Sequence, residues 1–252
     1  MADNGKEPYP WGGGVGEPPT TTKDGPSVRR AVGIARAVLW ACAALVAVLV
    51  VLAVGACGAP EEAKPRPLPD VTRKLDPGAY RTEEFEPAFS FRVGGDWTYL
   101  PLGSKPDDLA LARGRTGLRF FKAREVFKPT ERYEVVEAPD DLVGWLRRHP
   151  YLRTSAPETV TVGGIEGKRF DIAVGELPQD YSGECGPDCV ALFRFSDGTV
   201  LVISKGEKAR EIVLEDMGGE TVVIGFGGPA DEVDERAPEA QKVIDTVQWK
   251  RP

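Results

Sequence analysis

Phe89-Ser90-Phe91-Arg92-Val93-Gly94-Gly95-Asp96-Trp97 decides the fold. Phe89, Phe91 and Val93 alternate with Ser90 and Arg92, and a period of two places the three apolar side chains on one face of an extended strand. Gly94-Gly95-Asp96 then turns the chain towards Trp97, Tyr99 and Leu100. A half-buried strand ended by a turn is the signature of an antiparallel sheet.

Further strands are read downstream at Leu109 to Ala112, Leu118 to Lys122, Tyr133 to Val136, Glu158 to Val162 and Lys168 to Val174. Val190 to Phe195, Thr199 to Ser204, Ile212 to Leu214 and Val222 to Phe226 continue the series. Gly163-Gly164 and Asp197-Gly198 are hairpin turns that require positive φ, and Met217-Gly218-Gly219-Glu220 joins the last pair. Two helices interrupt the strands. Asp140 or Asp141 caps one that carries Leu142, Trp145 and Leu146 on one face and ends at Pro150. The other is expected from about Pro238 to Thr246, with Ala240, Val243, Ile244 and Val247 at helical spacing. The predicted class is α+β: a mostly antiparallel sheet flanked by helices, an α/β/α sandwich, preceded by one transmembrane helix.

That span is read upstream. Ala37 to Cys57 is apolar, and no charged residue occurs between Arg36 and Glu61. At ~1.5 Å per residue the run is long enough for a bilayer core. Arg29, Arg30 and Arg36 on its N-terminal flank predict a cytoplasmic N-terminus and a translocated remainder. The expected organisation is a disordered cytoplasmic tail at 1–30, a transmembrane helix at 31–57, a Pro-rich linker at 58–78 and an extracytoplasmic α+β domain at 79–252. The localisation it implies is the cell membrane, single-pass, with the C-terminal domain outside. An uncleaved signal anchor is the first reading. Val54-Gly55-Ala56-Cys57 has the small residues of a lipobox, so a lipoprotein lipidated at Cys57 is the alternative.

The net charge of −7 gathers beyond the apolar run, because residues 1 to 57 carry five basic and four acidic side chains. An acidic domain lacks the means to neutralise phosphates, which excludes nucleic acid as a partner.

Chemistry-bearing motifs are few. His149 is the single histidine. A zinc site or a Ser-His or Cys-His centre would rest on it alone, and it is read as structural, with a positive charge suiting the helix end. Ser196 belongs to a hairpin turn and not to a nucleophile elbow. Asp231, Glu232, Asp234 and Glu235 lack the spacing of a calcium loop and read as a solvated helix start. Gly225, Gly227 and Gly228 follow a strand of antiparallel character and do not form a phosphate loop. Trp97, Trp145 and Trp249 fit core positions. No catalytic residue, cofactor-binding residue or metal ligand is assigned, and the chain is expected not to be an enzyme.

Cys185-Gly186-Pro187-Asp188-Cys189 stands apart at the end of a polar stretch, Gly175 to Glu184. Its spacing differs from the redox Cys-x-x-Cys motif, so outside the cytosol a structural disulfide is expected. Asp180, Tyr181, Glu184 and Asp188 around it are the predicted interaction loop.

The Phe-Ser-Phe strand with Gly-Asp-Trp, the Asp-Leu-Val-Gly-Trp-Leu segment at 141–146, Val160 to Lys168 and the closing Val247-Gln248-Trp249 resemble membrane-anchored PsbP-like or LpqN-like bacterial outer domains over residues 84–250. The resemblance implies an α/β/α sandwich without a transferable functional residue. The expected function is a non-enzymatic binding or interaction module of the cell envelope. Its partners are the membrane through one span and an envelope protein or small-molecule ligand. A carboxylate-based envelope hydrolase is the alternative.

Overall fold

The computed structural model describes residues 64–102, 106–129, 134–183 and 185–250, all within one compact unit, Glu61–Pro252. In chain order its elements begin with β1 (Arg66–Pro67), β2 (Arg73–Lys74), β3 (Gly78–Arg81), β4 (Phe89–Val93), β5 (Thr98–Leu100) and β6 (Asp108–Arg113). β7 (Thr116–Lys122), β8 (Glu125–Phe127), β9 (Val135–Glu137), helix α1 (Leu142–Arg148), β10 (Leu152–Thr154) and β11 (Glu158–Val162) follow. The rest are β12 (Ile165–Val174), β13 (Cys189–Arg194), β14 (Val200–Ser204), β15 (Glu207–Leu214), β16 (Val222–Pro229), helix α2 (Ala230–Ile244) and β17 (Gln248–Trp249).

These strands form three sheets. The central one runs β10-β12-β15-β16-β7-β6-β5-β2, with β11 also paired to β12. A second runs β1-β3-β4-β17 and a third β14-β13-β8-β9. β1 pairs with β3 in parallel and the other pairings are antiparallel.

The central strands are buried on both faces, which explains their near-continuous apolar runs. Leu118 and Phe120 of β7, with Ile212, Leu214, Ile224 and Phe226, belong to a core shared with the second sheet and α2. Phe89 of β4 meets Phe120 there at 4.8 Å between ring centroids. Phe121, Val213 and Val223 belong to the opposite core, shared with the third sheet and α1. Phe121 stands edge-on to Phe193 at 5.0 Å.

Helix α1 starts at Asp141, whose carboxylate accepts from Gly144 N–H at 2.7 Å. It buries Leu142 and Leu146 and stops at His149, whose ψ of 120° suits the residue before Pro150. Helix α2 starts at Ala230, earlier than expected, and Pro238 lies inside it. Val233, Ala237, Ala240, Val243 and Ile244 are buried along α2, and that apolar stripe holds the helix despite the missing N–H of Pro238.

Two expectations are corrected. The α/β/α sandwich gives way to a mostly-β architecture of seventeen strands and two short helices among the described residues. A seven-residue α1 and a single longer α2 cannot cover both faces of so wide a sheet, so strands make most of each outer layer. The single-pass localisation at the cell membrane is corrected too. Among the described residues no helix is long and apolar enough to cross a membrane. The 15 residues of α2 reach only about 22 Å at ~1.5 Å each. The tail, the expected span at 31–57 and Cys57 lie outside the described residues. Within the stretch read as a linker, β1 pairs with β3 and β2 with β5.

Candidate functional site

The central sheet turns an unusual row of residues towards the third sheet. Glu211 of β15 pairs with Gly225 of β16, Gly225 with Arg119 of β7, and Arg119 with Ala110 of β6. On the next rung of that face, Ala209, Gly227, Gly117 and Ala112 line up across the same four strands. Packed sheets stand ~10 Å apart and are held there by the side chains between them. Where those side chains are Gly and Ala, the gap stays open. The result is a cavity of about 370 Å³, floored by Ala110, Ala112, Gly117, Ala209, Gly225 and Gly227 and roofed by Leu192, Leu201 and Ile203. That volume is within the usual range for small-molecule pockets.

Glu211 projects into this apolar space at 3% exposure. Burial pushes its carboxyl up to about 7, and the charge of Arg119 opposes that rise. Its Oε2 has no hydrogen-bond partner among the described residues. Asp107 Oδ1 and Arg236 Nε share that condition, but each faces an opposite charge, Lys122 at 3.5 Å and Glu232 at 3.3 Å. Among the described residues Glu211 has no such pairing.

The neighbouring charges are occupied. Arg119 donates from Nε to Asp108 Oδ1 at 2.7 Å, pairs through Nη2 with Oδ2 of the same carboxylate, and lies 4.0 Å over the Phe195 ring. Burial raises the Asp108 carboxyl above its ordinary value, although the Arg119 bonds pull the other way. Glu207 accepts from Ser204 N–H at 2.8 Å. Arg115 pairs with Glu232, and Lys208 with Asp171 and Asp234.

The loop read from sequence lies elsewhere. Cys185 and Cys189 form a disulfide with Cα atoms 5.8 Å apart. Gly183 and Gly186 exchange backbone hydrogen bonds within that loop. Asp180 is exposed, Tyr181 stands edge-on to Tyr151 at 4.9 Å, and the exposed Asp188 pairs with Lys205 at 2.7 Å. Glu184 lies outside the described residues. None of these residues lines the cavity.

His149 is buried among Trp145 and Tyr151, and its Nδ1 accepts from Tyr151 N–H at 3.3 Å. Burial lowers its pKa to about 4, so at neutral pH it brings no positive charge to the helix end. Trp97 is fully buried in the core, while Trp145 and Trp249 pack against the two cores from their edges. Among the described residues no group of three His, Cys, Asp or Glu side chains could hold a metal.

Sequence reading missed the cavity. Its signal was Gly225-Phe226-Gly227, two glycines at the period of one strand face, with Ala110 and Ala112 at the same period. Glu211 before Ile212-Val213-Leu214 was the second sign.

Fold and cavity together define a three-layered, β-rich domain with a ligand-sized chamber between two of its sheets. No protein-family model matches the chain, and no curated protein matches it. Solved structures similar to it include the following two. Cyanobacterial PsbP (CyanoP) from Synechocystis is 10% identical, with 70% of this chain and 95% of that one covered and a TM-score of 0.38. LpqN of Mycobacterium tuberculosis, involved in cell envelope biogenesis, is 9% identical, with coverage of 71% and 91% and a TM-score of 0.27. The PsbP-like and LpqN-like resemblance read from the sequence thus returns among solved structures. Scores this low leave the chemistry of the site to this chain's own residues.

Proposed function

We propose that the domain is a non-enzymatic binding module of the cell envelope, and that it holds a small, largely apolar ligand between the central sheet and the β13–β14 layer. The observation that carries this reading is the cavity itself: a floor of Gly and Ala across four paired strands, with one unpartnered carboxyl at its edge. The Cys185–Cys189 disulfide suits an oxidising compartment such as the envelope. The net charge of −7 favours a partner other than nucleic acid.

Support for a binding role over a hydrolytic one comes from the carboxyls. Glu207 and Glu211 are the two carboxyls lining the cavity among the described residues, and Glu207 is tied to Ser204 N–H at 2.8 Å.

The test uses an uncharged apolar dye whose fluorescence rises on leaving water. The chain should bind it saturably, and Gly117→Leu should abolish binding. A Cβ at Gly117 meets nothing closer than 3.7 Å, and Gly117 lines the cavity, so a larger side chain there starts into the open space. Undiminished binding by a folded Gly117→Leu protein refutes the cavity as the site.

A further inference from the structure

We propose that the ligand of this cavity is a primary amine with an apolar body, its ammonium group seated against Glu211 and its hydrocarbon lying along the Gly and Ala floor. The proposal deepens the binding reading and rests on it.

Burial sets the Glu211 carboxyl at about 7, so above that pH it is ionised and acceptor-only, and Oε2 then requires a donor. A buried acceptor left unmade is costly, and an unpaired buried charge more so. Among the described residues no group donates to it. Arg119, the cation across Gly225, has its Nε and Nη2 committed to Asp108. Lys208 is drawn away by Asp171 and Asp234, and Arg115 by Glu232. Gly225 stands directly opposite Glu211 and leaves the carboxyl room that any side chain would fill.

With those cations neutralised, Glu207 and Glu211 leave the chamber acidic. Its unmet need is therefore one positive charge bearing N–H donors, within reach of apolar wall. An ammonium meets both parts of that need. An alcohol supplies a donor without the charge. A carboxylate adds a further negative group to an acidic chamber.

The experiment measures binding of octylamine, octanol and octanoate to the full 252-residue chain by calorimetry. Charge-assisted hydrogen bonds are roughly twice as strong as neutral ones, so octylamine should bind about tenfold or more tightly than octanol, with octanoate weakest. Glu211→Gln should bring octylamine to the level of octanol and leave octanol unchanged. Gly225→Ala, which displaces the carboxyl while keeping it, should act in the same direction and serves if Glu211→Gln does not fold. Octanol binding that Gly117→Leu blocks, with octylamine no tighter, overturns the amine and leaves the cavity standing. Tighter octanoate also overturns the amine. Failure of all three probes and of the dye overturns both readings.

Discussion

Glu211 and Gly225 face each other across the β15–β16 ladder, and a Cβ on Gly225 would stand 2.7 Å from Glu211 Oε2. The absent side chain is what gives the Glu211 carboxyl its room between the two sheets. In Gly225→Ala the flexible end of Glu211 must turn aside. The backbone needs no shift, and the lost freedom of the unfolded chain offsets the new contact. Stability to urea is expected to change by less than about 1 kcal/mol, while amine binding falls. A large loss of stability would show that the carboxyl cannot move.

The pH dependence of stability should carry the mark of Glu211. Its carboxyl is raised from 4.5 to about 7 by burial, so the folded state holds its proton more tightly than the unfolded chain. The resulting stabilisation is complete below pH 4.5 and lost as pH rises through 7. It amounts to about 3 kcal/mol at ~1.4 kcal/mol per pH unit. Glu211→Gln removes this contribution and leaves the others. Urea midpoints of both proteins, measured across that window, should diverge with the variant gaining on the parent as pH rises.

His149 works in the opposite sense. Burial lowers it from 6.5 to about 4, so the folded state resists its protonation. Its contribution is complete above pH 6.5 and lost as pH falls through 4, again by about 3 kcal/mol. Between pH 4.5 and 6.5 the slopes of Glu211 and His149 nearly cancel. The parent protein should be almost flat there, His149→Gln should lose stability as pH rises, and Glu211→Gln should gain it. Parallel curves for all three proteins would refute both assignments.

Asp141 caps α1 through its bond to Gly144 N–H, and α1 buries Leu142 and Leu146. Asp141→Ala should cost about 1 kcal/mol by thermal or urea unfolding. The exposed partner of the same carboxylate, Arg148, is 3.3 Å away, and its replacement by Ala should change stability by less than about 0.5 kcal/mol. Equal losses would mean that the ion pair and not the cap holds the helix end.

Reduction of Cys185–Cys189 opens a small loop, for which chain entropy gives about 2 kcal/mol. Cys185→Ser/Cys189→Ser should lower stability by that order. Since neither cysteine lines the cavity, dye and amine affinities should stay within twofold or so, roughly the scatter of a neutral surface change. A larger drop would link the loop to the chamber.

Local chemistry was legible in the chain itself. The alternation of Phe89, Phe91 and Val93 located β4, and that of Val160 and Val162 located β11, because side chains in a strand have a period of two wherever it lies. Gly163-Gly164 marked a turn, and both residues adopt positive φ, 57° and 86°. Asp141 announced α1. Pro238 misled, because a proline reads as a helix start until a buried stripe carries the helix through it.

The layering was not legible, nor was the chamber. In Glu207 to Leu214 the order EKAREIVL reads as a strand turning polar towards its start, and Glu211 looks like a solvent-facing residue. Only the third sheet, folded over it, removes the water. Likewise Ala110, Gly117 and Gly227 are scattered along the chain, and only the register of β6, β7 and β16 places them side by side. Sequence by itself determined where most of the longer strands, the glycine turns, the cap and the disulfide form, since each depends on neighbours a few residues away, while β1 and β2 lie in the stretch read as a linker. Tertiary structure alone decided which face Glu211 joins and that a space remains there, since burial and emptiness are properties of layers that meet through space.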